Sequence, residues 1–428
     1  MPDVIPFGGV YYNPDKVSKI ESLVSPGFAF ITEEVRSKLK EEVNNYAHLL
    51  LPDGNEAEKY KNAVNKFFGW LLRDVLIIDK KPSFYVVEAE KVSGGEQRRV
   101  AGLIGLLKLE DYGKSVKRGE MPLEKYTNER YSLLKESQSS LKPVGCLYKD
   151  QNGILEDKLI KFPDKQLIFE FDFFKTNYKL FKIDNVELFK EVKNFFKNTP
   201  VYIVDGHSDY EAALKYMKEM KSQKGQKYTG KEAFNYTLVC LFNFYNDGVQ
   251  INPVHRGLRK LNIPITEFLK VLSIDYKFAA LQFNNQREEL IARRKLSLLI
   301  SENRGKGVVS FGFYHKAALN RYFMLSYKSQ TGNFVDIDVL NKTLLAKINV
   351  SPLDDSVVSY FYDYETACEY VKNGTHEATL FLNGTNKSKI IGLMDNNKES
   401  SPNSFCLFPQ IPVGLILFSF RYSGFLAE

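Results

Sequence analysis

The run Val201-Tyr202-Ile203-Val204-Asp205-Gly206-His207-Ser208-Asp209-Tyr210-Glu211-Ala212-Ala213 sets an acid, a glycine and a histidine between an apolar strand pattern and a helical one. A strand-turn-helix junction leaves backbone N–H groups without partners at the helix N-terminus, and anions bind such groups well. His207 stands where a general acid or base could act, with Asp205 beside it. The same residues also read as caps: Ser208 or Asp209 can accept first-turn N–H bonds, and a carboxylate there opposes a phosphate. Spacing alone favours capping over a ligand site.

Other candidates are less specific. His255-Arg256, after Asn252-Pro253-Val254, could hold an anionic group or be a strand-end pair satisfied by neighbours. Lys215, Lys218, Lys221, Lys224 and Lys227 recur every three residues, so the first four predict a basic ridge that drifts round a helix before Gly225 and Gly230 end it. With Arg293-Arg294-Lys295, this ridge could engage an acidic protein surface or nucleic acid, although such ridges are usually solvated faces. No zinc finger, helix-turn-helix or stacking-aromatic module accompanies it, so sequence-specific DNA reading is disfavoured. The chain contains no G-x-x-x-x-G-K-[ST], H-E-x-x-H, G-x-S-x-G or strand-turn-helix G-x-G-x-x-G.

The elements that must position these residues read as a mixture. Residues 57–74 place Tyr60, Val64, Phe67, Phe68, Leu71 and Leu72 at helical spacing, and Phe84-Tyr85-Val86-Val87 with 100–109 predicts a hairpin around Gly94-Gly95. Further strands are expected at 167–174, 178–184, 200–204, 236–243, 307–315, 318–327, 376–382 and 413–420. Helices are expected near 33–46, 186–197, 209–222, 265–273, 286–300, 335–347 and 363–373. Irregular alternation and short polar turns predict an α+β fold with mixed and antiparallel sheets and flanking helices. The softest boundary lies near Asn198-Thr199-Pro200, which divides an N-terminal part (1–198) from a C-terminal part (199–428), the two packing as one body.

Composition bounds the rest. In 428 residues, 44% hydrophobic and 14% aromatic content disfavours disorder, and 59 basic against 52 acidic residues leaves a charge of +7 that leans toward acidic partners. Cys146, Cys240, Cys368 and Cys406 lie far apart with no C-x-x-C pair, which argues against a zinc ribbon or disulfide scaffold and for a reducing compartment. No metal site is expected. The start lacks a secretory pattern and no apolar run approaches the ~20 residues of a membrane span, so a cytoplasmic protein without membrane attachment is expected.

Several ordered blocks resemble the domain-of-unknown-function 1015 family along nearly the whole chain. They are Pro6-Phe7-Gly8-Gly9-Val10-Tyr11-Tyr12-Asn13-Pro14-Asp15-Lys16-Val17, the strand Gly102 to Tyr112, the stretch 201–213, and Phe234-Asn235-Tyr236 through His255-Arg256. The 201–213 stretch is similar to the family's strand followed by D-G-H-H-R, a turn that looks like that of the ParB and sulfiredoxin group. That group binds nucleotides and includes a free serine kinase, so a whole polar set would imply phosphoryl transfer. Here the second histidine is Ser208 and the arginine is Asp209. The family's P-P-Y-D stands as Pro26-Gly27-Phe28-Ala29, and an expected arginine has become Leu50. Its H-E pair is Gly119-Glu120, with Arg130 retained, while a C-terminal P-P-K-S-T run stands as Asn396 to Ser401 and a P-K pair as Pro409-Gln410.

Each charge-assisted contact to a phosphate is worth about 1.5–3 kcal/mol, so losing several together would suppress turnover by orders of magnitude. The resemblance therefore implies a pseudoenzyme: an enzyme-like fold acting as a structural or interaction module in a larger assembly, with no cofactor. Its Lys215, Lys218, Lys221 and Lys224 would face an acidic polymer such as tubulin in microtubules, which would make the location cytoskeletal. The alternative is a small-molecule phosphotransferase using ATP or ADP. There Glu120 or His207 would be the base, Arg130, Arg256 and His255 would surround phosphate at Gly206, and a divalent ion would bridge to Asp205.

Overall fold

Tyr236–Asn243 is buried at all eight positions, which is the behaviour of a strand covered on both faces, and its sequence Tyr-Thr-Leu-Val-Cys-Leu-Phe-Asn suits that environment. It sits inside a nine-stranded sheet of the computed structural model, which describes residues 1–422 other than 56–57, 94–95, 262, 330–334 and 355. Across this sheet the order is Val116–Arg118, Val201–Asp205, Val144–Tyr148, Tyr236–Asn243, Glu96–Lys108, Phe84–Ser93, Thr176–Ile183 and Gln166–Phe173, with Val4–Ile5 also pairing onto Glu96–Lys108. Two pairings are parallel, Val201–Asp205 with Val116–Arg118 and Tyr236–Asn243 with Val144–Tyr148, and the others are antiparallel. The fold is thus α+β with mixed and antiparallel sheets. The expected Gly94-Gly95 turn lies outside the described residues, although the strands on either side pair from Tyr85↔Ile104 to Ser93↔Glu96.

The chain divides into two compact units, one formed by Met1–Gln250 with Leu407–Glu428 and the other by Ile251–Cys406. The boundary expected at 198–199 runs through the first unit. Helix Val186–Phe196, capped by Asn185 and burying Leu188, Val192 and Phe196, ends there, but the strand that follows hydrogen-bonds to Val144–Tyr148 and Val116–Arg118. Backbone ladders therefore cross the position where composition suggested a break. The C-terminal segment is laced into the same unit, with Val413 bridging Ser25, Leu417 bridging Val10, and Phe418–Ser419 pairing with Ser139–Ser140.

The second unit carries an antiparallel six-stranded sheet in the order Tyr276–Gln282, Arg321–Tyr327, Ser310–His315, Ala378–Phe381, His255–Leu258, Val358–Phe361. Helices Gln286–Gly305 and Tyr364–Lys372 bury Ala292, Leu296, Ile300, Ala367, Cys368 and Val371 against Tyr314, Tyr322 and Phe381. All four cysteines are buried and none forms a disulfide. Among the described residues no helix is long and apolar enough to cross a membrane.

The opening block that carries the family resemblance is pinned by a buried polar network. Asp79 accepts hydrogen bonds from Tyr11 Oη at 3.1 Å, from Lys182 Nζ at 2.6 Å and from Tyr85, whose own oxygen accepts the Gly9 N–H at 2.9 Å. Burial and the facing Asp79 push the Tyr85 phenol well above its ordinary value, so it stays a donor. Asp79→Ala should cost ~3 kcal/mol because it strands a mostly buried ammonium and two tyrosine hydroxyls. Urea denaturation at neutral pH measures this, and a loss well below 1 kcal/mol would show that the network does not anchor the N-terminal block.

Candidate functional site

Gly206 makes the turn between Val201–Asp205 and helix His207–Lys224 at φ +77, a left-handed conformation that side chains avoid, and an added Cβ would sit 3.3 Å from the Cα of Val144. Gly206 is itself the helix cap, with no side-chain bond to the first turn. The expectation that Ser208 or Asp209 caps the helix is therefore corrected: the helix starts at His207, so both residues lie within its first turn and their side chains are released from capping.

His207 folds back on the strand. Its Nε2 lies 3.1 Å from the carbonyl oxygen of Ile203, which also accepts the Gly119 N–H at 3.2 Å. Burial lowers its pKa to about 4, against the pull of Asp205, so the ring is neutral at pH 7 and donates Nε2–H to the carbonyl. This geometry fits a latch between strand and helix.

Asp209 points toward two cations. Arg130 Nε lies 3.6 Å from its Oδ1, and Lys142 Nζ lies 3.8 Å from its Oδ2 and 3.3 Å from Oδ2 of Asp205. Burial would lower the Lys142 pKa, but Asp205 and Asp209 outweigh it and hold the ammonium above its ordinary value. The Arg130 guanidinium stacks on Phe28 at 3.5 Å from the ring centre. These groups line a cavity of about 30 Å³ with Leu50, Ser140, Ala212 and Thr237. That is room for a water or two. The buried Ser140 hydroxyl on its wall has no hydrogen-bond partner among the described residues. A second void of about 10 Å³ continues past Lys142 and Asp205 to Gly145, Leu407, Pro409 and Gln410.

Four of the positions read from the resemblance as differences meet here, whereas Ser208, Gly119 and Asn396 to Ser401 are not among the lining residues. Phe28, Leu50 and Asp209 line the first cavity and Gln410 the second, although they lie in four separate stretches of chain. Lys142, which bridges both, carried no motif; its sole signal was a lone lysine before the apolar strand Val144–Tyr148. Glu120 is buried just beyond Arg118, which pairs with Glu211 at 3.4 Å and lies over Tyr112.

His255 and Arg256 belong to the second unit and are fully engaged in packing there. His255 Nδ1 accepts the Leu382 N–H at 3.1 Å, and burial with the adjacent Arg256 lowers its pKa to about 3. The Arg256 guanidinium donates to the carbonyls of Val254 at 2.8 Å and Asn403 at 2.9 Å and stacks on Tyr360. These bonds fit the strand-end reading of the pair. The lysine ridge drifts as its spacing implies, the steps from 215 to 224 turning the helix by a net angle of about 180°. Lys215 bonds Asn128 and covers Tyr131, Lys218 pairs with Asp111 at 2.6 Å, Lys221 lies over Tyr228, and Lys224 pairs with Glu232 at 3.4 Å. Among the described residues no cluster of acidic, histidine and cysteine groups could hold a metal ion.

A family model described as Protein of unknown function (DUF1015) matches residues 4–350. The chain belongs to that family. No curated protein matches this DUF1015 chain by sequence. Among solved structures it is similar to a conserved hypothetical protein from Pyrococcus furiosus, at 11% identity over 74% of this chain and 98% of that one, with a TM-score of 0.38. A free serine kinase in complex with AMP matches at 12% identity over 72% of this chain and 93% of that one, with a TM-score of 0.37. SbnI with a C-terminal truncation, from Staphylococcus aureus, matches at 8% identity over 72% and 85%, with a TM-score of 0.35.

The latch histidine makes stability depend on pH. An unfolded histidine titrates near 6.5, whereas folded His207 titrates at about 4. Between these values the unfolded chain binds a proton that the folded chain refuses, so stability is present above about pH 6.5 and falls as pH drops. His255, lowered to about 3, and His376, lowered to about 4, act with the same sign. His207→Gln should flatten the fall in unfolding free energy between about pH 6.5 and pH 5, above the carboxylate range. Urea denaturation across that window reads the slope, and an unchanged slope would show His207 to be solvated.

Proposed function

We propose that this DUF1015 protein is a non-catalytic member built on an enzyme-like site, acting as a structural or interaction module. One observation carries the reading: the Asp209 carboxylate stands between Arg130 and Lys142, the two cations that line the cavity. A phosphate arriving from solution would have to displace a carboxylate that is already tethered in place. The tethered group gives up no translational freedom on binding, whereas association from solution costs several kcal/mol. Two cations facing two carboxylates, Asp205 and Asp209, leave no net charge to draw in an oxyanion.

A second reading, an ATP- or ADP-dependent phosphotransferase, is favoured by one feature: Arg130, Lys142, Asp205 and the Gly206 turn converge from separate segments. In that reading Arg130 and Lys142 would hold phosphate once Asp209 swung aside, and Asp205 or Glu120 would take the proton of a hydroxyl substrate.

Thermal unfolding with ADP, ATP and magnesium at millimolar concentration separates the two. A ligand at a hundredfold its Kd stabilises by ~2.7 kcal/mol, a shift of several degrees, and the wild type should show none. Asp209→Asn, which removes the internal anion and keeps its shape, should acquire a shift with inorganic phosphate. A nucleotide-dependent shift in the wild type, or phosphate transfer from ATP or ADP to a hydroxyl substrate, would overturn the proposal.

A further inference from the structure

The sheet of the second unit ends in a strand with little to protect it. Tyr276–Gln282 pairs on one side with Arg321–Tyr327, in unbroken register from Tyr276↔Tyr327 to Gln282↔Arg321. Among the described residues nothing pairs with its other side. Exposed edges are normally blunted by proline, a bulge, several charges or a covering segment. This one has no proline and a single charge, Lys277, while Lys277, Phe278, Ala279 and Ala280 are all exposed.

The neighbouring helix extends the apolar surface. Gln286–Gly305 packs over Tyr276–Gln282, Arg321–Tyr327 and Ser310–His315, while Tyr364–Lys372 lies further along the sheet, over Ala378–Phe381 and His255–Leu258. Glu289 identifies the helix side that faces Tyr364–Lys372, since it pairs with Lys372 at 2.6 Å, and Arg293 and Ser297 follow on that side. At 100° per residue the side toward the free edge carries Ile291, Lys295 and Glu302, while Leu298 lies opposite the buried face of Glu289, Leu296 and Ile300. Ile291 is 58% exposed.

We propose that a second copy of this chain covers this edge, the two Tyr276–Gln282 strands pairing antiparallel about a two-fold axis normal to the sheet. Side chains opposite each other in an antiparallel pair share a face, so a two-fold axis must set residues of like parity together. The register centred on Ala279 sets Ala279 against its own copy, Phe278 against Ala280, Lys277 against Leu281 and Tyr276 against Gln282. Each large side chain then meets a smaller or polar one, and the single charge never faces itself. The axis also keeps both helices on the same face, where Ile291 stands on the seam side and Lys295 and Glu302 offer one charge of each sign. Pairing would extend six strands to twelve; it uses residues of the second unit, whereas Asp209 belongs to the first, so it stands independently of the reading given for that site.

Sedimentation equilibrium of the full chain tests this. The wild type should be dimeric at tens of micromolar, and Ala279→Lys, which sets two ammonium groups face to face, should weaken the dimer by about tenfold or more. Because that variant changes the strand itself, amide exchange on the wild type supplies a second measure: protection of 276–282 should rise with protein concentration. Ile291→Lys on the helix surface should weaken the dimer too. A wild type that stays monomeric, a dimer that Ala279→Lys leaves intact, or exchange at 276–282 that ignores concentration would overturn the proposal.

Discussion

The charge balance around Lys142 is the constraint on which the site depends. An ammonium this deeply buried is costly unless anions face it, and Asp205 and Asp209 reverse the effect of burial so that it remains charged. Each carboxylate comes from a different part of the turn, Asp205 from the strand end and Asp209 from the helix, so both elements must be in place for the balance to hold. The left-handed backbone at Gly206 reverses the chain tightly enough to bring them to one cation. Buried pairs of this kind add little net stability over an apolar core, but losing one member is expensive, and that makes the arrangement specific more than strong.

The same logic accounts for the histidines. His207 and His255 are buried, His376 sits in a pocket against Phe361 and Tyr370, and all three are held below their ordinary pKa chiefly by desolvation. Asp205 pulls on His207 but does not outweigh its burial. His207 donates to a backbone carbonyl, His255 accepts from a backbone N–H, and His376 Nε2 lies 2.8 Å from the Ser359 hydroxyl. A histidine poised for proton transfer near neutral pH needs a smaller perturbation than these show.

Much of the architecture could be read from local pattern. The strand expected at 236–243 and the helix expected near 186–197 stand as Tyr236–Asn243 and Val186–Phe196. The unit boundary could not be read this way, because Asn198-Thr199-Pro200 ends a helix without ending the sheet, and ladder bonds between distant strands leave no local trace. Capping was misassigned for a related reason: Ser208 and Asp209 have the right chemistry, but the helix begins at His207, ahead of where caps at those positions would start it. Lys142 carried only a weak local signal, since its importance comes from residues 63 and 67 positions away. The period of three at Lys215 to Lys224 carried its own drift, which takes the lysines round the helix to separate partners.

The clustering of Phe28, Leu50, Asp209 and Gln410 around two adjoining cavities bears on how such a site changes. In a closed pocket of low dielectric, altering one charge leaves its partners uncompensated at a cost of several kcal/mol, so isolated changes are poorly tolerated. Leu50 brings no charge to the cavity and Asp209 brings one negative charge, so that Arg130 and Lys142 are matched by the carboxylates of Asp205 and Asp209. Leu50 fills space where a cation would have repelled Lys142, and Phe28 supplies a ring face for the guanidinium of Arg130. Residues that share one electrostatic balance are coupled, and double-mutant cycles across Leu50, Arg130, Lys142 and Asp209 should therefore depart from additivity, whereas pairs spanning the two units should add. A pocket balanced in this way is a self-consistent polar core, in which a change at one of these residues is felt by the others.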